Sequence, residues 1–313
     1  MKPNIVFLDE FSLGTNDLSP IKELGNYTSY YFTTPEQVIE RSKDADIIVT
    51  NKVRFGEEQF KQLPRLKQIC IAATGMNIID LNAAAEYGIV VNNVVGYSTH
   101  AVTETTIGGA IAMLRNVVFF DQFIKSGEYT RSGRWVSFDR PTNQLHGLNW
   151  GIVGLGNIGR NVARIASAFG CKVAYSSTSG VVREEEYPRM ELKELFAWSD
   201  VVSVHCPLND MTVNLIGAEE FEVMKSSAIL INVARGGVVD EQALCDALNE
   251  DKLAGAVFDV FTTEPMSADN PLLQVKDPYK LLLSPHTAWA AKASIYVLVQ
   301  GIVTNIKNFL AKE

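Results

Sequence analysis

The chain has few of the residues that most often carry metal or redox chemistry. Its four cysteines, Cys70, Cys171, Cys206 and Cys245, form no Cys-x-x-Cys pair. Its four histidines, His100, His146, His205 and His286, form no His-x-x-x-His or mixed Cys/His spacing. No metal site is therefore expected, and the cysteines read as reduced, buried residues of a cytoplasmic protein. There is no surplus of positive charge: 28 basic residues face 36 acidic ones, for a net charge of −8. That argues against nucleic acid or an acidic membrane as the main partner. No long uninterrupted apolar run occurs, so no transmembrane helix is expected. The first residues, Met1 to Asp9, read directly as a strand and lack the pattern of a signal peptide. No low-complexity stretch or short-period repeat is present.

What is present is an ordinary globular composition, 47% hydrophobic and 20% charged over 313 residues, enough for two domains. The most informative feature lies mid-chain. Gly154, Gly156 and Gly159 form a Gly-x-Gly-x-x-Gly between an apolar run, Asn149 to Val153, and a helix-like segment from Asn161. In a dinucleotide-binding turn the first glycine makes the tight bend and the second admits a pyrophosphate to the backbone. The third lets helix pack on strand, and the helix N-terminus presents unpaired N–H groups to the phosphates. An ordinary βα turn is the alternative, but the strand before and the helix after favour the ligand.

Apolar runs alternate with helical patterns on both sides of this motif. Asn4–Asp9, Ala45–Asn51, Gln68–Ala73 and Ile89–Asn93 read as buried strands, with helices at Pro35–Lys43 and Asp80–Tyr87. A second series follows: Trp150–Gly154, Lys172–Ser176, Val201–His205, Ala228–Val233, Ala256–Val260 and Leu281–Ser284. The pattern predicts α/β architecture with parallel sheets, the second series suiting a full Rossmann sheet. Thr99–Gly127 begins as a long helix, followed by a polar arm over Glu128–Gln144. Ile295, Leu298, Ile302, Ile306 and Phe309 give the last helix, Ala290–Leu310, one apolar face. The expected plan is a first domain, 1–98 plus 289–313, into which a dinucleotide-binding domain, 99–288, is inserted. Hinges near 99 and 288 would then let a ligand cleft close.

Three later segments each place a polar residue just past a predicted strand: Arg235 after Ile229–Val233, Glu264 after Val257–Val260, and His286 after Leu281–Ser284. A guanidinium can fork onto a carboxylate and reach a neighbouring carbonyl oxygen. A histidine can exchange a proton with that oxygen. A carboxylate beside the imidazole fixes its tautomer and favours its protonated form. Together with a nicotinamide cofactor, this set describes hydride exchange with a 2-hydroxy/2-oxo acid. Taken singly, Arg235 reads equally as a surface cation, Glu264 as a loop carboxylate and His286 as a turn histidine; it is their order and their common position at strand ends that favour the chemistry.

At these residues the chain resembles the D-isomer-specific 2-hydroxyacid dehydrogenases, nearly end to end. The matching stretches are Ala73-Thr74-Gly75 with Asn77 and Asp80; Asn92 to Ser98; Val102-Thr103-Glu104; the glycine loop; His205-Cys206-Pro207-Leu208; Asn232 to Gly237; Asp259 to Pro265; and Ser284-Pro285-His286. The resemblance implies that Arg235, Glu264 and His286 are catalytic. It implies substrate contacts from Thr74, Gly75 and Met76; Lys52, at a strand end, reads either as touching the distal end of the substrate or as facing solvent. It implies cofactor contacts from Gly154, Gly156, Asn157, Ile158, Gly159, Ser176, Ser177, His205, Pro207, Thr212, Val233, Ala234 and His286, with Asp259 on the nicotinamide amide. It also implies a homodimer joined through Thr99–Gln144. Thr50 to Val53, Ser126-Gly127-Glu128, Phe138 to Pro141 and Pro285 to Ala290 are most similar to glycerate dehydrogenases, also called hydroxypyruvate reductases. Trp289 packs over the site or anchors the last helix. The long C-terminal regulatory domain of many phosphoglycerate dehydrogenases is not seen before Glu313, which lowers that reading.

One departure concerns the cofactor. The acid expected about 20 residues past the glycine loop is replaced by Ser176 in a run of hydroxyls, and the nearest arginine is Arg183, followed by Glu184, Glu185 and Glu186. NAD leads from the resemblance, with NADP open and weak discrimination expected. The competing readings are a dinucleotide-sensing, corepressor-like protein and a phosphoglycerate- or phosphite-type dehydrogenase.

Overall fold

The computed structural model of the protein describes residues 2–181 and 184–312. The chain divides into two compact units, Met1–Ser98 with Ala290–Glu313, and Thr99–Trp289. Trp289 groups with the second unit because its indole packs, partly buried, on a core that includes Val102 and Ala288.

The first unit holds a parallel five-stranded sheet of β1 (Asn4–Phe7), β2 (Asn26–Ser29), β3 (Ile47–Thr50), β4 (Gln68–Ile71) and β5 (Val90–Asn92). Its order, β2-β1-β3-β4-β5, is the flavodoxin-like arrangement. The inner strands β3 and β4 are buried at every position, as strands covered on both faces must be. β2, Asn-Tyr-Thr-Ser, was not expected. It is an edge strand with three of its four residues exposed, so it carries no apolar run to read. The last helix, Lys292–Leu310, packs on this unit through Ile295, Leu298, Ile302 and Ile306, all buried. A Cβ on Gly301 would lie 2.5 Å from the Val94 side chain, so the helix lies close against that residue.

The second unit holds a parallel six-stranded sheet of β6 (Asn149–Val153), β7 (Lys172–Ser176), β8 (Val201–Val204), β9 (Ile229–Asn232), β10 (Gly255–Phe258) and β11 (Leu281–Leu283). The order is β11-β10-β9-β8-β6-β7. Beyond β7 the chain adds one bridge, Tyr175 to Arg189, with Tyr175 N donating to Pro188 O and Met190 N to Tyr175 O. This is the third strand of a Rossmann half reduced to a single bridge; with it, the order across the first four positions is the Rossmann one. The chain switches direction at β6, which has β7 on one side and β8 on the other. Ligands bind open α/β sheets at the carboxyl ends of the strands at such a point.

The predicted helix from Thr99 ends at Leu114, and a second runs Val117–Lys125. The break falls at Asn116, which is left-handed at φ 49°. Small residues in the first helix serve packing within the unit: a Cβ on Gly109 would come within 2.9 Å of Val257. The arm after it carries exposed Trp135 and Phe138. Arg140 fastens its far end, lying over Phe119 and Tyr279 and pairing with Asp277 at 2.6 Å. No single helix among the described residues is long and apolar enough to cross a membrane.

Candidate active site

The glycine loop meets the steric demands of a dinucleotide. Gly154 has φ +94°, and a Cβ there would sit 2.8 Å from Cys206 N. Among the described residues, nothing lies within 4 Å of a Cβ on Gly156, so the space a pyrophosphate needs is open. A Cβ on Gly159 would lie 2.3 Å from Gly154 O, so only glycine lets the helix close on the turn. Gly156 caps helix Asn157–Ala168 with no side-chain bond, which leaves the first-turn N–H groups of Asn157 and Ile158 for an anion. A pocket opens here, lined by Gly154, Leu155, Gly156, Tyr175, Ser177, Thr178, Ser179, Val181, Glu185, His205, Cys206 and Pro207.

Several expected contacts are redistributed around this pocket. Ser176 is buried at the end of β7, its carbonyl accepting from Gly154 N at 2.9 Å; Ser177 is the hydroxyl that lines the pocket. Alternation along the strand explains the one-residue difference. Thr212 is fully buried, and its hydroxyl donates to Pro207 O and accepts from Asn209 N. It therefore shapes the Pro207 loop rather than lining the pocket. Arg183 lies outside the described residues. His205 stacks its polar groups inward: Trp150 Nε1 donates to Ser203 Oγ at 2.9 Å, and Ser203 Oγ lies 3.0 Å from His205 Nε2. His205 Nδ1 is buried without a hydrogen-bond partner among the described residues, and burial pushes the imidazole down to about 3.

Arg235, Glu264 and His286 come from the carboxyl ends of three adjacent strands, β9, β10 and β11, where Asn232, Phe258 and Leu283 are in register. Asn232, fully buried, accepts from Ala234 N at 3.1 Å and donates to Arg235 O at 3.0 Å. This pins the Val233-Ala234-Arg235 turn. Gly236 then runs against the next loop so closely that a Cβ would lie 1.9 Å from the Phe261 carbonyl. Glu264 accepts from Phe261 N through Oε1 at 3.1 Å and meets His286 Nδ1 through Oε2 at 2.7 Å. The imidazole and carboxylate are 21% and 29% exposed.

His286 sits at φ +54°, a left-handed conformation uncommon for residues other than glycine. Asp259 braces this turn. Its carbonyl accepts from His286 N, and its carboxylate accepts from Ser284 Oγ, Thr287 N and Ala288 N at 2.5, 2.9 and 2.9 Å. At 1% exposure this carboxylate, which the resemblance assigns to the nicotinamide amide, also bonds to the protein's own turn. Asn232 and Ser284 thus position Arg235 and His286, a role that their motifs alone do not give them. Their position at strand ends, three and two residues before a catalytic candidate, is the signal that could have found them.

In the first unit Asp9 organises the Lys52 turn. Its buried carboxylate accepts from Asn51 N and, at 2.7 Å, from Lys52 N, and burial pushes its pKa up. Asn93 Nδ2 donates to Thr74 O at 2.6 Å, and Thr74 Oγ1 donates to Val94 O at 3.1 Å. These bonds fix the Thr74-Gly75-Met76 loop. Asp80 is a helix cap, accepting from Asn82 N and Ala83 N.

The family profile described as "D-isomer specific 2-hydroxyacid dehydrogenase, NAD binding domain" matches residues 107–288. The chain is 37% identical over 318 residues to glycerate dehydrogenase of Methylorubrum extorquens, covering 99% of this chain and 97% of that one. It is 38% identical over 313 residues to hydroxypyruvate reductase of Blautia hydrogenotrophica, covering 98% and 96%. Among solved structures it is similar to D-lactate dehydrogenase from Aquifex aeolicus complexed with NAD and lactic acid, with a TM-score of 0.85, 26% identity, and coverage of 99% and 96%. A glycine loop shaped for a dinucleotide, a carboxylate–imidazole pair at neighbouring strand ends, and relatives matched along their whole length lead to one assignment: the protein belongs to the D-isomer-specific 2-hydroxyacid dehydrogenase family of NAD(P)-dependent oxidoreductases.

Proposed function

We propose that this dehydrogenase reduces hydroxypyruvate and glyoxylate, acting as a D-glycerate dehydrogenase. The observation that carries the chemistry is the His286 Nδ1–Glu264 Oε2 contact of 2.7 Å, in a loop that Gly236 locks against the Arg235 turn. The substrate reading rests on the relatives named glycerate dehydrogenase and hydroxypyruvate reductase.

A bound nicotinamide dinucleotide supplies the hydride; its pyrophosphate would be held by Gly154, Gly156 and the N–H groups from Asn157 to Gly159, and its riboses by Ser177 and the loops at His205–Pro207 and Val233–Ala234. Arg235 forks onto the 2-oxo acid and polarises its carbonyl. With Nδ1 engaged by Glu264, His286 delivers its Nε2 proton to the carbonyl oxygen as that oxygen gains charge. In the reverse direction the same nitrogen takes the proton back. Asp259 and Asn232 act as positioning residues for His286 and Arg235. By the resemblance, the N–H groups of Thr74–Met76 would bind a substrate carboxylate, and Lys52 would touch the distal end of the substrate.

We further propose a homodimer, supported by the exposed Val117, Val118, Ile124, Trp135 and Phe138 of the segment after Leu114. A reducing, cytoplasmic setting fits four cysteines that are all free and buried. Light scattering on the eluted protein checks the first; a monomer refutes it. Initial rates with hydroxypyruvate, glyoxylate, pyruvate and 3-phosphohydroxypyruvate test the activity. Fastest turnover of hydroxypyruvate is expected. Cofactor binding without turnover of any of these acids overturns the proposal in favour of a sensor.

A further inference from the structure

The end of β7 carries Ser177, Thr178 and Ser179 where this kind of fold uses an acid against the adenosine ribose. Neutral hydroxyls can hydrogen-bond a ribose hydroxyl or a phosphate alike. The pocket nevertheless has a carboxylate. Glu185 lines the same pocket as Ser177, Thr178 and Ser179, with its side chain 13% exposed. Both of its oxygens engage one guanidinium: Arg160 Nε donates to Oε2 at 3.1 Å and Nη2 donates to Oε1. Arg160 is the residue directly after Gly159, in the first turn of the helix that begins at the glycine loop. A fork of this geometry is the form in which arginine recognises a phosphate, and here it is turned onto Glu185.

Resting on the dinucleotide reading above, we propose that the Arg160–Glu185 pair sets the cofactor choice in favour of NAD(H). Glu185 supplies, from the segment after β7, the acceptor for a ribose 2′-hydroxyl that the strand end itself lacks. Toward a 2′-phosphate the same carboxylate is a like charge in a partly enclosed pocket. It also occupies the guanidinium that would otherwise receive that phosphate. Repulsion by Glu185 and its hold on the Arg160 donors therefore act in one direction. Exposed Glu184 and Glu186 flank it and add negative potential of the same sign.

The test is direct binding, independent of turnover. Dissociation constants of NADH, NADPH, ADP-ribose and 2′-phospho-ADP-ribose are measured by titration calorimetry on the intact protein and on Glu185→Gln, Arg160→Ala and the double variant. In the wild type the unphosphorylated ligand of each pair is expected to bind more tightly by about tenfold or more. Glu185→Gln should narrow or invert that ratio, because it removes the repulsion and frees Arg160. Arg160→Ala should leave the preference for NADH standing. The double variant should bind the 2′-phosphorylated ligands less well than Glu185→Gln alone. A wild-type ratio near one, or a ratio unmoved by Glu185→Gln, overturns the inference and leaves the dehydrogenase reading intact. Failure of the wild type to bind any of the four ligands overturns both.

Discussion

Gly236→Ala probes how tightly the Arg235 turn and the Glu264 loop are coupled. A Cβ there would lie 1.9 Å from the Phe261 carbonyl carbon and oxygen and 2.4 Å from Thr262 N. All three are backbone atoms, so no side chain can swing aside. Ordinary contact needs about 3.5 Å, so the Arg235 turn and the Glu264 loop must part by roughly 1.5 Å. Asn232 holds Arg235 O and Ala234 N from below, and Glu264 is tied to Phe261 N, so the displacement passes to Arg235, Glu264 or both. A misplacement of about 1 Å costs on the order of a hundredfold in rate. The expected result is a fall in kcat/KM of about that size, with overpacking lowering stability by about 1–3 kcal/mol. The assay is steady-state reduction of hydroxypyruvate beside a melting curve and a calorimetric titration of NADH. The glycine loop lies at the end of β6, with β8 between it and β9, so cofactor affinity should hold. A folded variant with wild-type kcat/KM refutes the coupling; a loss confined to NADH affinity refutes its location.

His286→Ala should cut kcat by about 10²–10⁴ through loss of proton transfer, with NADH affinity retained in titration; near-normal turnover removes His286 from the mechanism. Arg235→Lys should lower kcat/KM by about ten- to a hundredfold, the worth of a lost charge-assisted bond, measured with hydroxypyruvate; an unchanged value refutes the fork. Enclosure of the His205 ring holds it down at about 3 in the folded protein, against an ordinary value of about 6.5 when unfolded. The unfolded chain therefore takes up a proton first as pH falls, so stability is full above about pH 6.5 and drains away down to about pH 3, by at most about 4–5 kcal/mol. Urea midpoints between pH 7.5 and 4.5 should fall less steeply in His205→Gln than in the wild type; parallel slopes refute this.

What could be read from the sequence was what depends on period and on residue type at a strand end. β3, β4, β8, β9 and β10 are buried at every position, and burial on both faces writes itself as an apolar run. β2 and the bridge at Arg189 are edge features, where one side of the strand meets water and polar residues suffice, so no run marks them. Arg235, Glu264 and His286 stood out for a related reason: each follows a strand of one parallel series, and their order and residue types together fit one chemistry, although each alone reads as an ordinary turn or loop residue. Glu185 follows no such rule. It stands nine residues beyond the end of β7, among other glutamates, and nothing in its local sequence separates it from a solvated acid. Only the fold, by bringing Arg160 from the glycine-loop helix against it, gives that carboxylate a fixed place. The same holds for the bonds that Asp259 makes to the His286 turn, which nothing in its local sequence marks. A strand-end position tells that a side chain is needed there. Whether it touches the ligand or holds the residue that does is decided by backbone N–H groups from a distant segment, which carry no mark in sequence.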